Sequence, residues 1–250
     1  MSSMVELKNI SIHYHSISGE TKAVSDLSFS VEQGEFVCIV GPSGCGKSSI
    51  LSMLAGLIKP SEGSFHIHSK TNIGYMLQKD YLLEWRNIHS NACLGLEIQN
   101  KLTPENIKRV DELLELYGLG DFKYHMPSQL SGGMRQRVAL IRTLAIQPDV
   151  LLLDEPFSAL DYQTRLYVSD EIGTIIRKEK KTAILVSHDI SEAISLSDRV
   201  IVLSHRPATL KSIHNIDLTL EERTPMKARE APEFKDYFNK IWRELDVHVS

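Results

Sequence analysis

The sequence predicts an α/β fold in which a largely parallel sheet carries helices on both faces. Two observations support it. Short apolar runs read as strands: FVCIV at 36–40, VLLLD at 150–154, TAILV at 182–186 and RVIVL at 199–203. Helical patterns part them, after residue 47, around 163–179 and from 190.

Between 4 and 40 the pieces VELKNISIHY, LSFSV and FVCIV are β-rich, with turn signals at Ser18-Gly19-Glu20 and Glu32-Gln33-Gly34. FVCIV has no polar alternation, so both its faces are expected to be buried. A glycine-rich turn then opens a helix expected to stop between Gly56 and Pro60, followed by the strand-like GSFHIH and NIGYML. From about 84 to 147 the pattern becomes helical. Ile107, Val110, Leu114 and Tyr117 recur at helical spacing behind the cap-like Thr103-Pro104, and Met134, Val138, Ile141 and Ala145 form a stripe after Gly132-Gly133. Beyond His205, TLKSIHNIDL is polar and strand-like, and a last amphipathic segment sets Phe234, Phe238, Ile241 and Leu245 on one face.

Composition narrows the function. The 250 residues can bury a substantial core, and a formal charge of −4 supplies no basic excess that would argue for nucleic acid as a partner. Cys38, Cys45 and Cys93 have no framework or zinc spacing, which fits a reducing compartment. The start MSSMVELKN lacks a secretory pattern, and the longest apolar runs fall far short of the roughly 20 residues that cross a bilayer. The chain is expected to be soluble, and to work at a membrane only by docking on another chain.

Gly41 to Ser48, GPSGCGKS, carries G-x-x-x-x-G-K-[ST] between a predicted strand and a predicted helix. In such a loop glycines let backbone N–H groups turn around phosphate oxygens, Lys47 reaches the β and γ phosphates, and the Ser48 hydroxyl can ligate Mg²⁺. Cys45 inside the loop reads as a small filler. At the end of VLLLDE, Asp154 is the carboxylate expected to hold Mg²⁺ and Glu155 the one expected to polarise an attacking water. Neither acid should face the core unpaired, because burying a lone charge is costly. A second glycine pair, in QLSGGMRQR at 129–137, has the form of an anion site at a helix start but lacks a lysine after the glycines.

With GPSGCGKS, QLSGGMRQR and LLLDEP in this order, the chain resembles the ATP-binding subunit of an ABC transporter over residues 4–205. The resemblance implies a P-loop NTPase core with a mainly parallel sheet, an N-terminal antiparallel β subdomain and an inserted α-helical subdomain. Within a single ATPase domain over 4–250, it implies a nucleotide-binding core at 1–83 and 148–205, a helical subdomain with the signature at 84–147, and a strand and helix extension at 206–250. Gly41, Pro42, Ser43, Gly44, Cys45, Gly46, Lys47, Ser48 and Ser49 become the implied ATP seat. Tyr14 matches the aromatic that stacks on adenine, Gln78 the glutamine that meets Mg²⁺ and the attacking water, His188 the γ-phosphate histidine, and Asp161 the loop that crosses the dimer interface. Alone, Tyr14 would read as an ordinary strand aromatic, Gln78 as a loop residue and His188 as a structural strand-end histidine.

The resemblance also assigns the second glycine pair. Ser131, Gly132 and Gly133 of one subunit are implied to face the phosphate loop of a second copy, so that two ATP molecules are sandwiched between two chains. Met134 stands where the family most often has glutamine. Closure on ATP and opening after hydrolysis would energise import through a separate membrane permease, with an extracellular solute-binding protein as indirect partner. The chain would then sit on the cytoplasmic, inner face of the cell membrane. Exposed aromatics in KDYLLEWRNI, Tyr81 and Trp85, mark the expected docking region; the rival reading is a small local core of Leu82, Leu83 and Trp85. LLEWRNI, HRPATLKSI and FNKIWREL resemble ATPases that take up nitrate, sulfonate or taurine, and thiamine-pyrimidine precursors. The alternative class is an ABC ATPase that moves no solute, in DNA repair, translation or iron–sulfur assembly. The stretch from Gln78 to Ala145 leaves no room for the long heptad insertion of the DNA-associated kind, and translation factors carry two ATPase units.

Overall fold

The structure is a computed structural model that describes residues 3–17, 19–68, 71–221 and 223–245. Ser18 of the first expected turn and residues 246–250 of the expected extension lie outside them. The chain runs β1 (Ser3–Ser16), β2 (Gly19–Glu32), β3 (Phe36–Val40), α1 (Lys47–Leu54), β4 (Glu62–Ile67) and β5 (Ile73–Met76). Helices α2 (Ile88–Ala92), α3 (Leu94–Ile98), α4 (Pro104–Leu116) and α5 (Gly132–Ala145) follow. It continues through β6 (Val150–Asp154), α6 (Tyr162–Lys178), β7 (Thr182–Val186), α7 (Ile190–Leu196), β8 (Arg199–Leu203), β9 (Leu210–Asn215), α8 (Pro225–Ala228) and α9 (Phe234–Leu245).

Two sheets result. One is antiparallel, in the order β2-β1-β4; the other runs β5-β6-β7-β3-β8-β9 and is parallel except for the β8–β9 pair. All five residues of β3 are buried, as are those of β6 and β7, which is what strands covered on both faces require. The strand period sorts β3 between two cores. Phe36, Cys38 and Val40 join the core shared with α4–α7 and α9, whereas Val37 and Ile39 join the core that includes α1 and the antiparallel sheet. Each apolar side chain sealed this way contributes about 1.5–3 kcal/mol, which holds the two sheets and the helices as one unit.

β2 reaches well beyond the expected LSFSV. Its first four residues, Gly19 to Lys22, are exposed and without apolar side chains, but they pair with β1 from Ser16↔Gly19 onward, so backbone pairing extends the strand where hydrophobic pattern is weak. The helical stretch between β5 and β6 begins as capping chemistry dictates. Thr103 accepts a hydrogen bond from Asn106 N at 3.2 Å with Pro104 at the first helical position, and Asn87 accepts from Ser90 N at 2.8 Å. In the last amphipathic segment Ile241 is fully buried, with Phe234, Phe238 and Leu245 partly buried beside it on the core. Among the described residues no helix is long and apolar enough to cross a membrane.

If α9 is held by this apolar face, Ile241→Ala should lower unfolding free energy by about 3 kcal/mol, whereas the exposed Lys240→Ala should change it by less than about 0.5 kcal/mol. Denaturant titration of the two variants checks this, and equal midpoints would show that α9 is not part of the cooperative core.

Candidate nucleotide site

Parallel strands end at one edge of a sheet, and here the ends of β3, β5, β6 and β7 deliver the chemistry. The loop after β3 turns sharply into α1. At Gly46 φ is +124°, a conformation open to glycine, and a β-carbon there would stand 2.9 Å from the Ala23 carbonyl oxygen, so the loop lies directly on β2. Cys45 is buried beneath the loop, its sulfur against Gly41, and burial pushes its thiol above the ordinary range; it fills space, as expected. Lys47 is buried too. Its Nζ donates to the Gly41 and Pro42 carbonyls at 2.8 and 3.0 Å, so the ammonium is held at the loop's own mouth.

Asp154 closes β6 and is almost wholly buried, with Ser48 Oγ donating to its Oδ1 at 3.1 Å. Burial raises its carboxyl above the usual range, the Ser48 hydrogen bond opposes this, and the neighbouring Glu155 charge adds to it. A buried carboxylate beside a hydroxyl is an oxygen donor set suited to Mg²⁺, which takes one or two protein carboxylates and completes its shell with phosphates and water. Among the described residues there is no group of three or more His, Cys, Asp or Glu side chains that could hold a metal ion.

Glu155 takes φ +48°, in the left-handed region, while its N–H donates to Val186 O at 3.0 Å and so ties the turn to β7. That turn aims the carboxylate at two partners. Gln78 Nε2 donates to Glu155 Oε2 at 3.1 Å, and His188 Nδ1 lies 3.4 Å from the same oxygen. His188 is held by its neighbours. Ser187 N donates to Ile39 O at 3.3 Å, Ser187 Oγ donates to the buried Glu192 at 2.7 Å, and Asp189 caps α7 by accepting from Ser191 N and Glu192 N.

Tyr14 comes from the far end of β1, opposite Thr21 on β2; 43 % exposed, it donates its hydroxyl to Ser49 Oγ at 2.9 Å. A cavity of about 360 Å³ joins Tyr14, Ser43 to Ser49 without Cys45, Gln78 and Glu155, with Thr21, Ala23 and Arg206 also in its wall. His188, with Gly41 and Pro42, lines a neighbouring cavity that also takes in Ser43. Ten expected residues therefore meet around Ser43 and Glu155: Tyr14, Ser43, Gly44, Gly46, Lys47, Ser48, Ser49, Gln78, Glu155 and His188. Thr21, Ala23 and Arg206 belong to no phosphate motif; only the hairpin register opposite Tyr14 could have pointed to Thr21.

Ser131, Gly132, Gly133 and Asp161 do not line this cavity. Ser131 caps α5 by accepting from Met134 N at 3.3 Å, and both Ser131 and Gly132 are exposed. Gly133 lies against the 159–160 loop, where a β-carbon would stand 3.1 Å from Leu160 Cδ2. Asp161 caps α6, accepting from Thr164 N at 3.0 Å, and its Thr164 contact lowers its carboxyl below the usual range. Met134 is half-buried on the core and enters the cap through its backbone N–H alone, so its side-chain identity is not needed there.

The rest of the signature stretch faces the glutamine strap. Gln136 Nε2 donates to the Gln78 carbonyl at 3.3 Å, and Arg135 Nε pairs with Asp80 Oδ2 at 3.1 Å. Arg142 donates to the Asp80 and Tyr81 carbonyls at 2.6 and 3.0 Å. Three α5 side chains thus grip residues 78–81, a role with no sequence signal of its own. Tyr81 at the end of that strap and Trp85 just beyond it are 58 % and 75 % exposed; only Leu82 of the alternative local core is buried.

The family model for ABC transporters matches residues 24–158. The chain is 46 % identical over 250 residues to the uncharacterized ABC transporter ATP-binding protein YtlC of Bacillus subtilis, covering 98 % of this chain and 96 % of the relative. It is 36 % identical to the aliphatic sulfonates import ATP-binding protein SsuB of Bacillus licheniformis, covering 92 % and 89 %, and 36 % identical to the nitrate import ATP-binding protein NrtD of Synechocystis, covering 89 % and 88 %. The dimeric structure of MJ0796, a bacterial ABC transporter cassette, superposes with a TM-score of 0.78 at 31 % identity, over 86 % of this chain and 99 % of that one. The chain belongs to the ABC transporter family, as an ATP-binding subunit that hydrolyses ATP.

Proposed function

We propose that this ATPase energises import of a small solute of the nitrate, sulfonate, taurine or pyrimidine-precursor type, through a separate permease and by closing as a dimer on ATP. The observation that carries the proposal is the meeting of Gln78 Nε2 and His188 Nδ1 on one oxygen of Glu155, beside a phosphate loop in the same cavity region. Names of the sulfonate and nitrate import relatives support the solute class.

In this reading Tyr14 stacks on adenine, which a tyrosine face does without reading the base closely. The backbone N–H groups of residues 43–49 and Lys47 hold the phosphates. Ser48, Asp154 and Gln78 hold Mg²⁺, which when bound offsets the charge of the transferring phosphoryl group. Glu155 accepts the proton of the attacking water, and its positive-φ turn fixes the carboxylate for that task. His188 donates toward the γ-phosphate. Gln78 contacts both the water and, through its carbonyl and Gln136, the signature helix.

The signature supplies the other wall. Ser131 and Gly132 lie exposed at a helix start, with Gly133 behind them against the 159–160 loop, an arrangement suited to an anion held by another molecule. We assign them to the γ-phosphate seated on a second copy, with Asp161 and its loop crossing between the copies. Loss of the γ-phosphate breaks the bridge and lets the dimer open. The strap at Tyr81 and Trp85 then passes the movement to a permease at the inner face of the membrane, placing the extracellular solute-binding protein one partner further away.

Two variants test this. Glu155→Gln should bind ATP, accumulate as a closed dimer by size-exclusion chromatography and turn over at least about 100-fold slower; normal turnover removes Glu155 as the base. Ser131→Arg should keep monomer ATP binding and lose ATP-dependent dimerisation and hydrolysis, and unchanged values for both sink the sandwich.

A further inference from the structure

Arg206 stands in the wall of the nucleotide cavity, together with Tyr14, Thr21, Ala23, Ser43 and Gly44. Among the described residues its guanidinium makes no hydrogen bond or ion pair, although the side chain is exposed beside a phosphate loop. The other charged side chains in that wall are Lys47, held by loop carbonyls, and Glu155. One lysine against one carboxylate leaves a triphosphate poorly matched in charge. Arg206 adds a second cationic side chain to that wall.

Its backbone is held in place. Ser204 and Thr209 clasp the turn, with Ser204 N donating to Thr209 O at 3.0 Å and Thr209 N donating to Ser204 Oγ at 2.9 Å. Two residues on, the fully buried Ala208 donates to Ala23 O at 2.9 Å and accepts from Ser25 N at 2.9 Å. The Ala23 carbonyl is the one that lies against Gly46 of the phosphate loop. The arginine therefore projects from a turn that is docked on Ala23 and Ser25 of β2, and Ala23 in turn lies against the loop that seats phosphate.

We propose that Arg206 is a further nucleotide-binding residue, whose guanidinium pairs with the phosphate chain of ATP alongside Lys47. A planar guanidinium matches phosphate oxygens in pairs and stays charged at any working pH. Because the group is exposed, the contact is screened by salt more strongly than one made by a buried lysine. The inference rests on the nucleotide seat proposed above.

Equilibrium binding of ATP and of inorganic tripolyphosphate, each with Mg²⁺ and at low and high salt, tests it on Arg206→Ala, Arg206→Lys and, as control, Lys47→Ala. Arg206→Ala should weaken both ligands roughly tenfold at low salt, with the difference shrinking at high salt. Arg206→Lys should recover most of the loss, and the unfolding midpoint of both variants should match the parent, since the side chain supports no packing. Unchanged ATP affinity in Arg206→Ala overturns the proposal, as does a loss for ATP that tripolyphosphate does not share, which would mark a contact to the base. If Lys47→Ala leaves both ligands bound, the seat itself is misplaced, and the role of Arg206 falls with it.

Discussion

Everything at the candidate site depends on the parallel register of β5, β6, β7 and β3. Because these strands run the same way, the loops that leave them meet at one edge, and the phosphate loop, Gln78, Glu155 and His188 arrive there from four separate parts of the chain. Hydrogen bonds continue the ladder past the strand ends. Glu155 N reaches Val186 O, and Ser187 N reaches Ile39 O, so the catalytic candidates are positioned by backbone that is already part of the sheet. A slip of one residue in β6 would exchange Asp154, which faces Ser48, for its neighbour and dismantle the oxygen pair.

The helical stretch between β5 and β6 is joined to this edge by polar contacts rather than by apolar packing alone. Arg135, Gln136 and Arg142 take hold of the strap at 78–81 through three of its carbonyls, those of Gln78, Asp80 and Tyr81, and the Asp80 carboxylate, at 2.6 to 3.3 Å. Such bonds are directional and partly screened from water, so a shift of the strap is felt by α5 and a shift of α5 by Gln78. The start of the same helix carries Ser131 and Gly132. One helix therefore connects the glutamine that touches Glu155 to the exposed helix start that the proposed dimer would offer to a second copy, the physical link that an ATP-driven clamp would require.

Much of this was legible in the sequence because it depends on local chemistry. The β3 and β6 apolar runs, the phosphate loop, the Thr103 cap and the buried stripe at Val138, Ile141 and Ala145 are each consequences of residues near one another in the chain. What lay beyond reach depends on contacts between distant residues. Gln136 gives no hint that it meets a carbonyl 58 positions away, and Arg206 no hint that its turn docks on Ala23. Cap roles were hidden for another reason: Ser131 and Asp161 satisfy helix N–H groups with the same oxygens that a partner interface would use. The half-open polar start of β2 extended further than its hydrophobic pattern indicated, since pairing with β1 supplies the missing order.

In the proposed dimer each chain brings two unlike halves of an ATP site, one built around Lys47 and the other around Ser131. Mixing chains that carry Lys47→Ala with chains that carry Ser131→Arg tests this most directly, by ATP turnover after subunit exchange. In the mixed dimer the intact Lys47 of one chain faces the intact Ser131 of the other, so turnover should rise well above that of either variant alone. Turnover no higher than the sum of the two separate variants would contradict a site shared between copies.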